Sequence, residues 1–295
     1  MTYDAIILGG SYAGLSAGLQ LARARRKVLV VDTGLRRNRF TRTSHGFLTQ
    51  DGSTPAQIAA DARSQLMEYQ TVEWLQTEAT NAELVQDGFK VALRHGSEAI
   101  GKRLVLATGV TDVLPELAGL AERWGSSVFH CPYCHGYELD EGRIGVLATS
   151  PLSMHQALML PDWGPTTFFL NGAFEPDADQ LQQLARRNVA VERGLIDRLD
   201  GERVDVVLRD ERILPMDGIF TTTRTVVSAP FAEQLGCGFD DGPLGRYIRT
   251  DAMKATTVPG VFACGDAARP TGSVALAVGD GAMAGAATHP SLMFD

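Results

Sequence analysis

The sequence predicts an α/β protein built from two units, with the second unit inserted into the first. Three observations carry this prediction. Near the start of the chain, an apolar run, a glycine-rich turn, a helical pattern and a second apolar run follow one another. A fresh alternation of strands and helices begins near residue 144, and a last strand and an alanine- and glycine-rich helix close the chain. Two complete units in tandem would not need this final strand and helix.

The first unit opens with a β-turn-α-β pattern, in which the second strand ends in Asp32. Its elements in order are a strand over 3–8, a helix over 15–25, a strand over 28–31, an irregular polar segment over 36–51, a helix over 55–69, short strands or hairpins over 72–93 and a buried strand over 104–106.

The second unit follows a break in the pattern at residues 112–115. Its elements are a strand over 144–147, a helix over 152–160, a strand over 166–170, a helix over 177–187 and a strand-rich continuation to about 220. A stretch rich in Gly, Pro and Asp at 236–245 predicts the return to the first unit, which ends with a strand over 261–263 and a helix over about 273–288.

Composition excludes several classes of protein. The 295 residues carry 27 basic and 35 acidic side chains, and the net charge of −8 repels phosphate backbones and anionic membrane surfaces. We therefore expect no nucleic-acid partner. No apolar stretch approaches the roughly 18 residues that span a bilayer, and the start of the chain carries no export pattern. With only four cysteines, we expect a cytoplasmic protein without a membrane partner.

The turn after the first strand, Gly9-Gly10-Ser11-Tyr12-Ala13-Gly14, fits a dinucleotide-binding loop in part. Such a loop uses three glycines for a tight turn, for close approach of the pyrophosphate and for helix packing. Gly9 and Gly14 occupy the first and third positions, whereas Ser11 occupies the second. Asp32 stands where an acid accepts hydrogen bonds from a ribose. Turn-forming glycines and an exposed strand-end acid are the alternative, but the combination favours a Rossmann-like nucleotide site.

The strongest chemical signal is Cys131-Pro132-Tyr133-Cys134, because two intervening residues let the sulfurs close a small ring and lower the pKa of one thiol. In a cytosolic chain this motif indicates redox chemistry or a metal. Structural zinc typically needs four ligands, and Cys237 and Cys264 are isolated, so redox chemistry is favoured over a metal site or inert thiols. His135 titrates near neutrality when unperturbed and is the candidate proton carrier; a structural histidine is the alternative.

Four motifs follow one another along the chain: the loop from Gly9 to Gly14, then Leu106-Ala107-Thr108-Gly109, then the cysteine pair, then Ala263-Cys264-Gly265-Asp266-Ala267. Their identity and order resemble the thioredoxin reductase family of FAD-dependent disulfide oxidoreductases. The resemblance covers nearly the whole chain. It implies an FAD-binding domain made of residues 1–112 and 238–295, and an inserted pyridine-nucleotide-type domain of residues 113–237 that carries the cysteines. It also implies a homodimer.

Roles carried over from the resemblance assign Cys134 to the flavin and Cys131 to the substrate, with His135 where the family usually has Asp. The N-terminus of the last helix would point at the flavin C2 carbonyl. The residues expected to contact FAD are Gly9, Ser11, Tyr12, Ala13, Gly14, Asp32, Arg37, Asn38, His45, Thr108, Gly109, Gly265, Asp266, Ser273 and Val274.

A narrower resemblance joins the chain to the branch of gliotoxin- and holomycin-type dithiol oxidases, which form a disulfide inside a small natural product. It rests on Arg37-Asn38-Arg39, Ser44-His45-Gly46-Phe47-Leu48, Asp51-Gly52 and the segment from Cys131 to Glu138. It implies that His45 lies in the flavin domain near the redox centre.

The second nucleotide loop departs from the family pattern. After the strand over 144–147 the chain reads Ala148-Thr149-Ser150-Pro151-Leu152-Ser153, which contains no glycine. The strand over 166–170 ends in Asn171-Gly172, without an acid for a ribose or a basic cluster for a 2′-phosphate. Weak or absent NADPH binding is therefore favoured, although the sequence leaves NADPH open as a second cofactor.

The function predicted from these features is transfer of two electrons between flavin and the Cys131/Cys134 pair, and then to or from an external thiol or disulfide. That substrate is a small molecule or a protein. The alternatives are a dithiol oxidase that uses oxygen without NADPH, and a flavin-binding redox sensor without turnover.

Overall fold

The computed structural model describes residues 2–294, whose longer strands form two separate large sheets. The strands in chain order are β1 (Thr2–Leu8), β2 (Val28–Asp32), β3 (Val72–Gln76), β4 (Ala79–Val85), β5 (Gly88–Leu93), β6 (Glu98–Leu106), β7 (Val110–Val113), β8 (Val128–Phe129), β9 (Ile144–Leu147), β10 (Thr166–Phe169), β11 (Ala190–Glu192), β12 (Ile196–Asp200), β13 (Val204–Leu208), β14 (Ile213–Met216), β15 (Gly218–Thr221), β16 (Arg224–Val227), β17 (Phe239–Asp241), β18 (Arg246–Ile248) and β19 (Val261–Ala263). The α-helices are α1 (Tyr12–Arg23), α2 (Pro55–Met67), α3 (Pro132–His135), α4 (Ser153–Met159), α5 (Ala178–Arg186), α6 (Phe231–Gln234) and α7 (Val274–Phe294).

The first sheet has the strand order β3-β2-β1-β6-β5-β4, and β19 pairs with β6 in parallel. The strands β3, β2, β1 and β6 also pair in parallel, whereas β5 is antiparallel to β6 and to β4. Parallel strands are covered on both faces and read as continuous apolar runs, which explains why residues 5–8 and 28–31 are almost free of polar side chains and buried throughout. The carboxyl ends of β1, β2, β6 and β19 therefore meet at one edge.

Helices α1 and α7 pack closely against each other on one face of this sheet. Small residues make the close approach possible, because a side chain on Gly281 would overlap the carbonyl oxygen of Ala13 and one on Gly285 would overlap that of Ala17. This contact fixes where α7 begins relative to the loop after β1.

The second sheet has the parallel strand order β11-β10-β9-β15-β8. Helices α4 and α5 share a core with one of its faces, and the antiparallel strands β12, β13 and β14 pack on the other. The fold class predicted from the sequence, an α/β protein with two Rossmann-like, three-layer units, is confirmed. Within residues 2–294, no helix combines the length and the apolar composition that a bilayer crossing needs.

Two passages of the chain connect the units, and they run side by side. Strand β7 pairs antiparallel with β16, with Asp112 opposite Thr225. On the return passage, Phe231, Ala232 and Cys237 already pack in the core beside the first sheet. The residues 231–237 thus pack with the first unit, just before the return that the sequence predicts at 238, while the domain boundaries themselves stay a prediction.

Candidate active site

The loop after β1 is held in a conformation that requires glycine. Gly9 has φ of +105°, and a side chain there would overlap the carbonyl oxygen of Ala107. A side chain on Gly14 would likewise overlap the Gly9 carbonyl oxygen. The Asp32 carboxylate accepts hydrogen bonds from the backbone N–H groups of Gly10, at 2.9 Å, and Gly34, at 3.0 Å. The loop and the end of β2 therefore form one rigid edge.

A cavity of about 460 Å³ opens beside this edge. Asp32 and Gly10 line it together with Arg36, Arg63 and Trp74, and the Arg63 guanidinium lies 4.3 Å from the centre of the Trp74 ring. Arg36 Nε and Trp74 Nε1 are buried without a hydrogen-bond partner. Unpaired buried donors are costly, so this polar, roomy cavity fits a ligand that supplies acceptors, as the adenosine half of FAD does.

Helix α1 begins beside this loop with three of the predicted cofactor residues. The Ser11 side chain makes no capping hydrogen bond to the helix, so its hydroxyl has no role in holding α1. The Tyr12 hydroxyl donates to the Pro55 carbonyl at 3.2 Å and accepts from Asn38 Nδ2 at 3.1 Å, which joins two predicted residues. The Ala13 side chain faces Gly265 and serves packing. A contact with FAD stays a prediction for all of these residues.

The opposite wall of the candidate flavin site is formed where β6, β19 and α7 meet. Gly109 has φ of +67°, and a side chain there would meet only open space, whereas one on Gly265 would crowd Ala13. Asp266 lies so close to Gly272 that a side chain at 272 would overlap its carboxylate. The structure thus brings Thr108-Gly109, Gly265-Asp266 and the start of α7 to the sheet edge that carries the first loop.

The start of α7 presents backbone donors. Ser273 Oγ accepts from the Leu276 N–H at 3.2 Å, while the first N–H groups of a helix, here including that of Val274, have no partner inside it. These donors suit the electron-rich edge of a flavin. Together with the cavity beside Asp32, they show that the residues present fit FAD.

Arg37 binds two carboxylates from separate parts of the chain. Its Nε and Nη2 bind the two oxygens of Asp112 at 2.8 and 2.7 Å, and its Nη1 binds Asp266 Oδ2 at 2.8 Å. Asp112 also accepts from Thr223 Oγ1 at 2.8 Å. Burial alone would raise the pKa of Asp112, but the Arg37 guanidinium holds that pKa below its usual range. Asp112 therefore carries a negative charge, and Arg37 is bound to protein carboxylates on two sides.

Cys131 and Cys134 form a disulfide, with their Cα atoms 5.3 Å apart. Cys131 precedes the short helix α3, and the Cys134 N–H donates to its carbonyl oxygen at 3.2 Å. Between them, the exposed Tyr133 ring meets the edge of Trp163. The paired cysteines predicted from the sequence are thus in bonding contact and in the oxidised state.

Two histidines flank the cysteines, and both are uncharged at neutral pH. Burial lowers the pKa of His135 to about 4, with the imidazole stacked on Phe129 at a ring distance of 4.4 Å. Burial and the nearby Arg37 charge lower the pKa of His130 to about 4 as well. The expectation that His135 titrates near neutrality is wrong, because the sequence does not reveal that the ring packs against an aromatic core.

His45, in the first unit, contacts the second unit across their boundary. Its Nε2 is 3.4 Å from Glu138 Oε1, four residues beyond Cys134, and its Nδ1 is 3.6 Å from Asp51 Oδ1. A backbone bond from Gly46 and the nearby His45 lower the pKa of Asp51. The segment 44–52 therefore meets the residues that follow the disulfide, near the predicted redox centre.

The glycine-free second loop, residues 148–153, is closed in the sense that its polar groups hydrogen-bond to one another and to Thr222. The Thr149 N–H donates to Ser153 Oγ at 3.1 Å, and Thr149 Oγ1 donates to the Thr222 carbonyl at 3.0 Å. Gln156 on α4 donates to the His130 carbonyl at 2.8 Å and accepts from Thr222. Groups that would face a pyrophosphate in a dinucleotide-binding loop here satisfy one another.

The remaining cysteines have no redox or metal partner within residues 2–294. Cys237 and Cys264 are buried and unpaired, and burial raises the pKa of the Cys264 thiol to about 12. In the same part of the chain, no three His, Cys, Asp or Glu side chains are grouped as metal ligands would be.

Comparison with known proteins identifies the family. The family model of the pyridine nucleotide-disulphide oxidoreductases matches residues 3–281. This chain belongs to that family. It is 32% identical over 311 residues to the thioredoxin reductase tcpT of Claviceps purpurea (strain 20.1), which covers 99% of this chain and 95% of the relative.

Two solved structures extend the match. An oxidoreductase from Agrobacterium tumefaciens superposes with a TM-score of 0.97 at 57% identity, over 100% of this chain and 99% of that one. HlmI superposes with a TM-score of 0.92 at 35% identity, over 99% of this chain and 93% of that one. As a member of the pyridine nucleotide-disulphide oxidoreductases similar to thioredoxin reductases, this chain is a flavin-dependent disulfide oxidoreductase with FAD as its cofactor.

The oxidoreductase contains site residues that sequence reasoning missed. Asp112 and Thr223 bind each other and lie on the two passages between the units, and Glu138 meets His45. Arg36 and Trp74 supply the unpaired donors in the cavity beside Asp32. In the sequence, Glu138 ends the segment that carries the narrower resemblance, Arg36 opens the irregular polar segment, and Asp112 stands where the pattern of the first unit breaks. Thr223 and Trp74 carried no signal, because their roles depend on contacts between distant segments.

Proposed function

We propose that this oxidoreductase transfers two electrons between FAD and the Cys131–Cys134 disulfide, and between that disulfide and an external pair of thiols. The position of the disulfide carries the proposal. The segment around it meets the first unit through Glu138 and His45, and Arg37 joins the predicted flavin residue Asp266 to the passage between the units. A redox disulfide at this boundary lies between the cofactor side and an exposed surface.

The thiol chemistry follows from the disulfide itself. A substrate thiolate attacks Sγ of Cys131, a substrate–Cys131 bond forms, and the Cys131–Cys134 bond breaks with its electron pair leaving on Cys134. The second substrate thiolate attacks the mixed disulfide and releases Cys131 as a thiolate. The substrate departs as a disulfide, its two protons pass to solvent or to the enzyme thiols, and the cysteine pair is reduced by two electrons.

FAD, when bound, supplies a two-electron acceptor for the reduced cysteines and a route for those electrons to dioxygen, which becomes hydrogen peroxide. The chain's own groups hold the geometry of this exchange. His135, uncharged at neutral pH, stacks on Phe129 directly after Cys134, where its imidazole can accept a hydrogen bond from a thiol without adding positive charge.

We further propose that the enzyme works as a dithiol oxidase and does not depend on NADPH. The closed second loop favours this reading, because Thr149, Ser153 and Thr222 bind one another where a dinucleotide would need free backbone donors. Two electrons that enter from a dithiol must leave to an external acceptor, and dioxygen is the acceptor that needs no further binding site.

A small apolar dithiol is the substrate class that the surroundings of the disulfide support best, with a protein thiol as the other candidate. Tyr133, Tyr137 and Leu48 are strongly exposed and lie within a few residues of the disulfide or of His45. These side chains offer apolar contact to a compact ligand, in line with the resemblance to gliotoxin- and holomycin-type dithiol oxidases. We also propose a cytoplasmic homodimer with the domain division at residues 112 and 238.

An anaerobic titration of the purified protein tests the function. Dithiothreitol is expected to bleach the visible flavin absorbance, with two dithiols consumed per flavin at full reduction, one for FAD and one for the Cys131–Cys134 disulfide, whereas NADPH leaves the absorbance unchanged. Admission of oxygen should then restore the absorbance and release two molecules of hydrogen peroxide per flavin, as the electrons of the flavin and of the cysteine pair leave. Bleaching by NADPH would overturn the oxidase reading, and a flavin that resists dithiol would overturn electron exchange with the disulfide. A single turnover without repeated dithiol consumption would support a redox sensor.

A further inference from the structure

The relative orientation of the two units depends on the two passages between them. Strands β7 and β16 form a ladder of only four residue pairs, Val110 to Val113 against Val227 to Arg224, and pair with neither large sheet. A two-stranded ribbon by itself is marginally stable. Side-chain contacts beside this ribbon therefore decide how firmly the disulfide is held toward the first unit.

The Asp112 carboxylate makes the buried charged contacts beside the ribbon. It lies on β7 with its side chain only 8% exposed, and both of its oxygens bind Arg37 in a two-pronged arrangement at 2.7 and 2.8 Å. Thr223, the residue before β16, donates a third hydrogen bond to it at 2.8 Å. Planar pairing of this kind gives geometric specificity as well as energy. One carboxylate thus fastens the outgoing and the returning passage to the same arginine.

Arg37 belongs to a segment of the first unit that also meets the disulfide-bearing segment elsewhere. Phe40 lies against Gly125, where a side chain would come within 2.6 Å of the Phe40 Cβ. Further on, His45 Nε2 lies 3.4 Å from Glu138 Oε1. The electrostatic influence of both Arg37 and Asp112 reaches His130, the neighbour of Cys131. Residues 37–45 therefore form a contact surface for the segment 125–138.

We propose that Asp112 is a positioning residue for the redox reaction. Through Arg37 and Thr223 it holds the disulfide-bearing unit against the contact surface formed by residues 37–45. Asp112 acts through these partners and touches neither reacting sulfur. The proposal rests on the proposed exchange of electrons between the disulfide and FAD. This positioning role belongs to the passage of chain between the units. Neither the nucleotide loops nor the cysteine motif supplies it.

The test compares Asp112→Asn with Asp217→Asn in the FAD-loaded protein. Asp217 is the control because it is another carboxylate held by arginines, Arg143 and Arg203, and its side chain is 19% exposed against 8% for Asp112, but it lies away from the ribbon. Flavin reduction is followed anaerobically with dithiothreitol, which acts through the disulfide, and with dithionite, which reduces flavin directly. The ratio of the two rates reports electron transfer from the disulfide to the flavin, because differences in flavin content and folding affect both rates alike.

Asp112→Asn is expected to lower this ratio by at least tenfold, and Asp217→Asn to leave it within twofold. Small-angle X-ray scattering of the variant should show a wider distribution of shapes. If Asp112→Asn does not fold, Thr223→Val, which removes one hydrogen bond to the carboxylate, is expected to lower the ratio by at least threefold. An unchanged ratio in the soluble variants overturns the positioning role. Failure of dithiothreitol to bleach the unaltered protein overturns the proposed function instead.

Discussion

At the residue scale, burial decides what the polar groups beside the disulfide do. His135 stacks on Phe129 and His130 lies beside Trp124, and in each case desolvation favours the neutral ring. Arg37 and Asp112 are also largely buried, yet each retains its charge because the other compensates it. Of these buried groups, Arg37 therefore carries the positive charge, and His130 and His135 carry none.

Replacement of Cys134 tests the cysteine pair directly. Cys134→Ser removes the disulfide and should lower the rate of flavin bleaching by dithiothreitol by at least about a hundredfold, since a thiolate and not a hydroxyl exchanges with disulfides. Stopped-flow absorbance measures the rate. Cys237→Ala is the matched control, because this thiol is buried and unpaired away from the motif. Retention of fast bleaching in Cys134→Ser would contradict the assignment.

The two buried histidines predict a loss of stability in mild acid. Their pKa values are about 4 in the folded protein and near 6.5 when unfolded, so the unfolded chain binds more protons between these values and stability falls as pH drops through this window. From pH 7 to pH 5, the loss is about 2 kcal/mol for each histidine.

Urea unfolding at the two pH values measures this effect. His135→Phe, which keeps an aromatic ring against Phe129, should lose less stability between pH 7 and pH 5 than the unaltered protein. His95→Asn serves as the control, because His95 is exposed. An equal loss in His135→Phe and in the unaltered protein would show that His135 is not the buried group responsible.

At the scale of elements, the contact between α1 and α7 positions the start of α7 at the candidate flavin site. The two helices approach closely because Gly281 and Gly285 face backbone atoms of Ala13 and Ala17. The start of α7 then lies beside Gly265-Asp266, and Gly265 in turn faces Ala13 of α1, far away in the chain. Helix packing therefore brings the two ends of the first unit together.

Two glycines of α7 should respond to substitution in opposite directions. Gly285→Ala forces a methyl group into the backbone of Ala17 and should destabilise the protein by about 2 kcal/mol. Gly279→Ala meets open space in the same helix and should stabilise it by up to about 1 kcal/mol through helix propensity. Equilibrium urea unfolding distinguishes the two, and equal effects would contradict the close helix contact.

At the scale of the whole molecule, the two nucleotide sites of the fold are unequal. The first sheet edge combines the strained Gly9 turn, the Asp32 carboxylate and a cavity with unpaired donors. The second sheet ends in a loop whose threonine and serine groups bind one another. We therefore expect one dinucleotide to stabilise the protein and the other to leave it unchanged.

Thermal unfolding of flavin-free protein checks this inequality. FAD at about a thousandfold excess over its Kd should add about 4 kcal/mol to the free energy of unfolding, whereas NADPH at equal concentration should add none. FMN, which lacks the adenosine half, is expected to raise the Tm less than FAD because it leaves the cavity at Arg36 and Trp74 unfilled. A rise in Tm with NADPH comparable to that with FAD would contradict the closed second loop.

Local patterns in the sequence were sufficient for the fold class and for the chemistry of the cysteines. The buried parallel strands read as apolar runs; the predicted strands over 144–147 and 261–263 coincide with β9 and β19. The motif Cys131-Pro132-Tyr133-Cys134 needs only its own spacing to form a disulfide. The absence of glycine from 148–153 likewise predicted a departure from a nucleotide loop, and the structure gives that segment hydrogen bonds of its own.

Only the tertiary structure decided which distant groups meet and which of them carry charge. Asp112 meets Arg37 across 75 residues and Thr223 across 111, and nothing local in the sequence indicates either contact. The neutral state of His135 follows from packing against Phe129, which the spacing of residues does not reveal. Strand and helix patterns depend on neighbours along the chain, whereas charge and position at this site depend on desolvation and partners supplied by the folded core.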